Sequence, residues 1–226
     1  MTTRTPRRRE DDLFIASPAH ERTPASVREQ VDPEQTPESL EAYRRCTLWH
    51  DATQAVPGAG STHATLMLVG EQPGDQEDQA SRPFVGPAGA LLDTVLAEAG
   101  IERKAVYVTN AVKHFKWELR GKRRLHKTPA QREVEACSYW LERELAKVRP
   151  KVVVALGATA LQAVLRDPKA RLAAHRDRVT HIGDLTVVAT WHPSYVLRAP
   201  SAQARKTALA QMIAALLRAH ALTGQS

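Results

Sequence analysis

Thr65-Leu66-Met67-Leu68-Val69 runs directly into Gly70-Glu71-Gln72-Pro73-Gly74-Asp75, and this junction decides the fold. A short apolar run of this length describes a buried strand, and Gly70, Pro73 and Gly74 then turn the chain sharply. The same alternation repeats outward. Ala88 to Ala99 is amphipathic, Val106-Tyr107-Val108 is apolar, and Pro129 to Lys147 is amphipathic again, with Thr128 and Gln131 placed as a capping box around Pro129. Lys151 to Leu156 is a further buried-strand candidate, Ala158 to Leu165 a helix, Leu185 to Thr190 a strand and Pro200 to Leu222 the closing helix. Strands that alternate with helices predict an α/β fold: a single three-layer α/β/α domain around a central, mainly parallel sheet. Such sheets place their sites beyond the carboxyl ends of the strands. Chemistry is therefore expected directly after Val69, Val108 and Thr190.

With 226 residues and 42% hydrophobic content, the chain can bury one substantial core and still carry an extension. Residues 1–35 mix Arg4, Arg7, Arg8 and Arg9 with acids and prolines, without lasting apolar periodicity, and read as a disordered extension. Residues 36–226 form the expected domain, opened by Thr36 as an N-cap and Pro37 at the first helical position of a short helix that carries Leu40 and Tyr43 toward Cys46. Only Cys46 and Cys137 are present, which argues against a disulfide framework and for a reduced, cytoplasmic setting. No run approaches the roughly 20 apolar residues of a membrane span. A monomer with no membrane partner is expected.

The net charge of +7 is concentrated: Lys113, Lys116, Arg120, Lys122, Arg123, Arg124 and Lys127 face only Glu118 within one segment. A charge run is most often a solvated face. Gly121 within it suggests a mobile loop, which could also track a phosphate backbone.

The polar clusters after the strands permit specific chemistry. Glu71, Gln72, Asp75 and Asp78 can bring carboxylates and an amide to one pocket beside Gly70, or can merely cap the next helix. Phe84, within Pro83-Phe84-Val85-Gly86-Pro87, is either a platform for a planar base or an aromatic plug beneath its loop. Asn110 offers both an acceptor and donors, the complement of the polar edge of uracil, or simply ends a strand. His192, held extended by Pro193, can donate to an anion forming on a leaving base. His126 ends Lys122-Arg123-Arg124-Leu125-His126 and is a competent nucleophile if Glu71 takes its proton.

Together the segments Gly-Glu-Gln-Pro-Gly-Asp at 70–75, Arg-Pro-Phe-Val-Gly-Pro-Ala-Gly at 82–89, Tyr-Val-Thr-Asn-Ala-Val-Lys-His at 107–114, Lys-Arg-Arg-Leu-His at 122–126 and His-Pro-Ser at 192–194 resemble the uracil-DNA glycosylase superfamily, in particular family 4 and its UdgX branch. The resemblance spans about residues 43–200. It implies that uracil-containing DNA, single- or double-stranded, is the partner, that uracil flips into the pocket, that Phe84 stacks on it, that Asn110 reads its edge and that His192 stabilises the departing anion. In the UdgX branch the histidine matched by His126 captures the sugar carbon and leaves a protein–DNA adduct. Glu71 would then orient His126, while Gln72 and Asp75 shape the reacting site and Arg124 anchors the loop. Lys122 and Arg123 would meet DNA, as would Ser194, Leu197 and Arg198, with Val196 and Leu197 as a wedge for the vacated space.

The sequence departs from this family in two places. Leu125 stands where UdgX usually has isoleucine, which keeps bulk and apolarity. For the family's [4Fe–4S] cluster, Cys46 and Cys137 match two ligands and His114 a third, but Tyr43 occupies the position of the first cysteine. Cluster iron prefers thiolate, so two readings stand: a cluster with a mixed ligand set, or two cysteines that are simply buried small residues. Three functions likewise stand: an adduct-forming glycosylase, a conventional turnover glycosylase in which His126 only binds DNA, and a silent binder of uracil-containing DNA. A generic nucleotide-binding module is the poorer alternative, because Gly157-Ala158-Thr159 is a weak substitute for a phosphate fingerprint.

Overall fold

The computed structural model describes residue 40 and residues 46–224. The extension expected at 1–35, the helix opening at Thr36 and the position of Tyr43 lie outside the described residues. The strands are β1 (Ala59–Gly60), β2 (Leu66–Gly70), β3 (Val106–Asn110), β4 (Trp117–Arg120), β5 (Arg123–His126), β6 (Val152–Leu156), β7 (Val179–Ile182) and β8 (Leu185–Thr190). The helices are α1 (Asp75–Ala80), α2 (Pro87–Glu98), α3 (Gln131–Val148), α4 (Ala158–Leu165), α5 (Leu172–His175), α6 (Pro193–Leu197) and α7 (Ala202–Thr223).

A six-stranded sheet has the order β1-β3-β2-β6-β8-β7. Its inner strands β3, β2, β6 and β8 are parallel, and β1 and β7 pair antiparallel at the edges. Every residue of β2, β3 and β6 is buried, as expected for strands covered on both faces. Alternation divides the core: Leu66, Leu68, Val154 and Val188 pack with Leu92, Leu96, Met212 and Leu216 on one side. Met67, Val69, Val153 and Val187 pack with Leu141, Leu161 and Val164 on the other. The chain moves from β2 outward to β3 and then returns to β6 on the far side of β2. That reversal opens a crevice at the carboxyl ends of the strands.

Local differences from the sequence reading have simple causes. The edge strands β1 and β7 are short and incompletely buried, so they carry no apolar run. The helix expected from Pro129 begins at Gln131, and its first turn is closed by Glu133 accepting from the backbone N–H of Ala130 at 2.6 Å, not by a Thr128–Gln131 box. The basic segment is not a featureless loop. It folds as a hairpin, with Trp117 opposite His126 and Arg120 opposite Arg123.

Much of its charge is also committed internally. Lys113 is fully buried, with its Nζ 2.6 Å from Glu144, 2.6 Å from the Thr109 hydroxyl and 2.8 Å from the Asn110 carbonyl. Lys116 pairs with Glu133 at 2.7 Å, and Arg124 pairs with Asp75 and Asp78. Arg120, Lys122 and Arg123 remain exposed at the hairpin end.

Candidate active site

The polar segments after β2, β3 and β8 converge on one cleft of about 630 Å³ at the carboxyl ends of the strands. Gly70 lies beside Asn110 in the sheet register. The Ala111 and Val112 amides donate to the carbonyls of Gly70 and Glu71 at 2.9 and 3.0 Å, which fixes how the chain leaves both strands. Glu71 is thereby set in the cleft with one oxygen 3.1 Å from His126 Nε2. Its other oxygen accepts from the Thr159 hydroxyl at 2.5 Å. Burial pushes the Glu71 carboxyl up, but the hydrogen bonds from His126 and Thr159 and the two nearby imidazoles outweigh it, leaving the group below its ordinary value.

Phe84 and Asn110 form the inner part of the cleft. Asn110 is 2% exposed and Phe84 6%. Phe84 both joins the core and lines the cleft, so the two readings of its ring are compatible. Gly70 is required beneath them, since a Cβ there would lie 2.4 Å from Asn110 Oδ1 and 2.6 Å from the Phe84 ring. Phe84 adopts a left-handed backbone, φ 56°, at a cost on the order of 1–2 kcal/mol. Glu77 holds it there. One carboxylate oxygen accepts from the amides of Val85 and Gly86 at 3.0 and 2.8 Å, and the other accepts from Gly74 at 3.1 Å. Glu77→Ala is expected to lose about 3 kcal/mol of stability, lowering Tm by roughly 6–12 °C for a domain of this size. Glu77→Gln keeps an acceptor and should lose about half as much by thermal denaturation.

His192 caps α6 from the end of β8. Its Nδ1 accepts from the backbone N–H of Ser194 at 3.2 Å and sits 2.8 Å from the Ser194 hydroxyl. The neutral ring therefore carries its proton on Nε2. Burial, opposed by Glu71 and reinforced by His126 and Arg198, lowers its pKa to about 4. The result is a neutral donor, not a cation, at the cleft wall. Gly157 permits this approach with a φ of 92° and its Cβ direction 3.2 Å from the His192 side chain.

The hairpin is latched beside these groups. Arg124 bonds Asp75 at 2.6 Å and Asp78 at 2.7 Å, while Asp78, fully buried, also accepts from the Thr53 amide at 3.0 Å. Asp78 does not line the cleft; it anchors the hairpin. Gln72 does the same at the hairpin's base, where its amide donates to the carbonyls of Lys116 and Lys127 and accepts from the Lys116 N–H. His126 follows Arg124 by two residues and so reaches the cleft wall. Ser194, Leu197 and Arg198 line the same cleft, whereas Lys122 and Arg123 lie outside it on the exposed hairpin.

The sequence matches the uracil DNA glycosylase superfamily over residues 57–217. The chain belongs to that superfamily. It is 36% identical over 173 residues to a Type-4 uracil-DNA glycosylase of Thermotoga maritima, covering 76% of this chain and 86% of the relative. A Type-4 uracil-DNA glycosylase of Pyrobaculum aerophilum is 32% identical, covering 76% of this chain and 87% of the relative. One of Archaeoglobus fulgidus is 36% identical, covering 70% and 79%. The family-4-like resemblance and the α/β fold it implied are thus both found. Among the described residues no helix is long and apolar enough to cross a membrane.

Within this glycosylase fold, Cys46, Cys137 and His114 are all buried. A hydrogen bond from Cys137 draws the Cys46 thiol down to about 5 against the effect of burial, with His114 assisting. Among the described residues, His114 Nδ1 is buried without a partner. A [4Fe–4S] cluster takes four ligands, preferably thiolates. Among the described residues no group of His, Cys, Asp or Glu has the arrangement of a metal site. Among the described residues, these side chains supply two thiols and one imidazole, short of the four ligands that the cluster takes.

Sequence reasoning did not find Glu77, Thr159, Glu144 or Trp191. Glu77 had a local signal, an acid at the third position of a helix that follows glycine. Thr159 was visible only as part of Gly157-Ala158-Thr159; its hydroxyl is directed at Glu71, 88 residues away, and no local spacing reveals that.

Proposed function

We propose that this chain removes uracil from DNA by cleaving the N-glycosidic bond. The observation behind this reading is the convergence of Phe84, Asn110 and His192 on one cleft at the ends of three strands. A flipped uracil fits such a cleft: Phe84 supplies a face, Asn110 matches its polar edge, and the His192 Nε2–H meets the charge that grows on the departing base. The glycosidic electron pair leaves with uracil as an anion, and the sugar carbon becomes electron-poor beside the Glu71 carboxylate.

Two completions follow, and the Type-4 relatives give the better support to the first. In it water takes the sugar carbon, its proton passes to a basic group in the cleft, and the enzyme turns over. The second is favoured by one observation, the 3.1 Å contact between His126 and Glu71. Here the neutral imidazole donates an electron pair to the sugar carbon, a C–N bond forms, and the ring's proton passes to Glu71. This is the behaviour attributed to the UdgX branch, and it ends after one turnover with the DNA bound covalently.

Incubation with a uracil-containing single-stranded oligonucleotide, denaturing electrophoresis and a parallel assay of free uracil separate these outcomes. Uracil release beyond one equivalent supports hydrolysis. A heat- and SDS-resistant band that requires both uracil and His126 supports capture. Tight binding with neither product would refute excision altogether.

The pH dependence has a definite sign. Glu71 lies below its ordinary value of 4.5, so the stability it contributes is complete above that value and is lost as pH falls through the lower folded value. His192, moved from 6.5 to about 4, is favoured neutral, and acidification between those values also costs stability. Uracil release is therefore expected to be level from about pH 6 to 8 and to decline below about pH 5, measured as single-turnover rates.

A further inference from the structure

Beside the proposed uracil cleft stands an aromatic stack that the excision chemistry leaves unused. The rings of Trp191 and Tyr195 lie 4.3 Å apart between centres and only 15° from parallel. The Arg176 guanidinium sits 4.5 Å from the centre of the Trp191 ring. Two groups so close to one ring centre occupy opposite faces, so the order is Arg176, Trp191, Tyr195. The Trp191 indole N–H is fixed by Gln211 Oε1 at 2.6 Å, which locks the plane of the stack. Both aromatic residues line the cleft, yet Tyr195 is 39% exposed. One face of its ring is covered by Trp191, and more than a third of the residue is open to solvent beside the cleft.

We propose that Tyr195, backed by Trp191 and Arg176, is a stacking subsite for the nucleobase adjacent to the uracil on the same strand. This rests on the excision reading above. A single isolated exposed tyrosine needs no explanation. Here, however, the ring continues the surface that takes the substrate: His192 precedes it by three residues, and Leu197 and Arg198 follow it at the same mouth. When uracil leaves the base stack, its neighbour loses a stacking partner. An aromatic face held rigidly next to the pocket replaces that partner at little entropic cost. The exposed Arg198 guanidinium, bonded to the Ser194 hydroxyl at 3.2 Å and lining the same cleft, is placed to meet the connecting phosphate.

The test uses single-stranded uracil oligonucleotides with ordinary flanks, or with a tetrahydrofuran spacer in place of the base immediately 5′ or immediately 3′ of the uracil. Half-saturating DNA concentration and maximal single-turnover rate are measured for the wild type, Tyr195→Ala and Tyr195→Phe. Tyr195→Ala is expected to raise the half-saturating concentration by about 5- to 150-fold, the span of one base–aromatic stack, and to leave the maximal rate largely unchanged. Tyr195→Phe should stay within about twofold, because the ring and not the hydroxyl is used. A spacer at one flank should weaken the wild type by a similar factor and leave Tyr195→Ala unaffected, which also identifies the side. If Tyr195→Ala weakens all substrates equally, including both spacer forms, or lowers only the maximal rate, the ring merely supports α6 and the subsite is overturned. Binding of the same oligonucleotides is read in parallel by fluorescence anisotropy. Failure to release uracil from any substrate then counts against excision, while loss of the spacer effect in binding counts against the subsite.

Discussion

Replacing His192 with alanine is expected to slow uracil release by about 10²- to 10³-fold, the usual loss on removing one preorganised donor to a developing anion. The ring accepts from the Ser194 N–H at Nδ1 and so offers Nε2–H to the cleft. With its pKa near 4 it is a neutral donor throughout the neutral range. Such a donor gains strength only as charge collects on the base, so the maximal rate should fall while DNA affinity barely changes. Ser194→Ala gives the matching control. It removes the hydroxyl at 2.8 Å but leaves the backbone N–H that fixes the tautomer, and a loss of no more than about tenfold is expected. Single-turnover uracil release with saturating enzyme measures both. A His192→Ala rate within a few fold of wild type would remove His192 from the chemistry.

The contrast between Glu71 and its neighbours Gln72 and Asp78 shows which parts of the site were legible in the sequence. The strands β2, β3, β6 and β8 announce themselves as apolar runs, because a strand buried on both faces has no polar positions to interrupt it. Once those runs are placed, the sheet rule directs attention to Glu71, Asn110 and His192, and the structure brings all three to one cleft. Partner assignments were less legible. Asp78 and Gln72 look, in sequence, like pocket groups equal to Glu71, yet Asp78 is consumed by Arg124 and the Thr53 amide, and Gln72 by the backbone of the hairpin's base. Which polar side chain faces a ligand depends on contacts 25 to 55 residues distant, and local pattern does not encode those.

Which cations of the basic segment face solvent is hidden for the same reason, and Lys113 is the clearest case. Counted in sequence, it adds to a positive face; in the fold it is 0% exposed and surrounded by Glu144, Thr109 and the Asn110 carbonyl. Lys113→Met is expected to cost about 3–5 kcal/mol, because breaking a buried pair leaves the other charge without a partner. For a domain of this size that lowers Tm by roughly 6–20 °C. The loss should not come from the missing attraction alone. Glu144 also accepts from the Gly58 amide at 2.8 Å and the Thr109 hydroxyl at 2.6 Å, so its carboxylate stays buried after the lysine is gone. Glu144→Gln in the same chain removes that charge; its single amide oxygen still accepts from the Gly58 amide, and its NH2 donates to the Thr109 hydroxyl oxygen that Lys113 has vacated. The Lys113→Met, Glu144→Gln double variant is therefore expected to recover about half of the lost stability, since a neutral buried group is far cheaper than an unpaired ion. Thermal and urea denaturation of the two single variants and the double variant form the required cycle. If the losses simply add, the pair is not coupled and the burial of Lys113 must be explained by its bonds to the Asn110 carbonyl and the Thr109 hydroxyl. If the double variant recovers, then a residue that looks like part of a DNA-binding charge run instead secures the strand end carrying Asn110, and its replacement should weaken uracil recognition without changing the salt dependence of DNA binding.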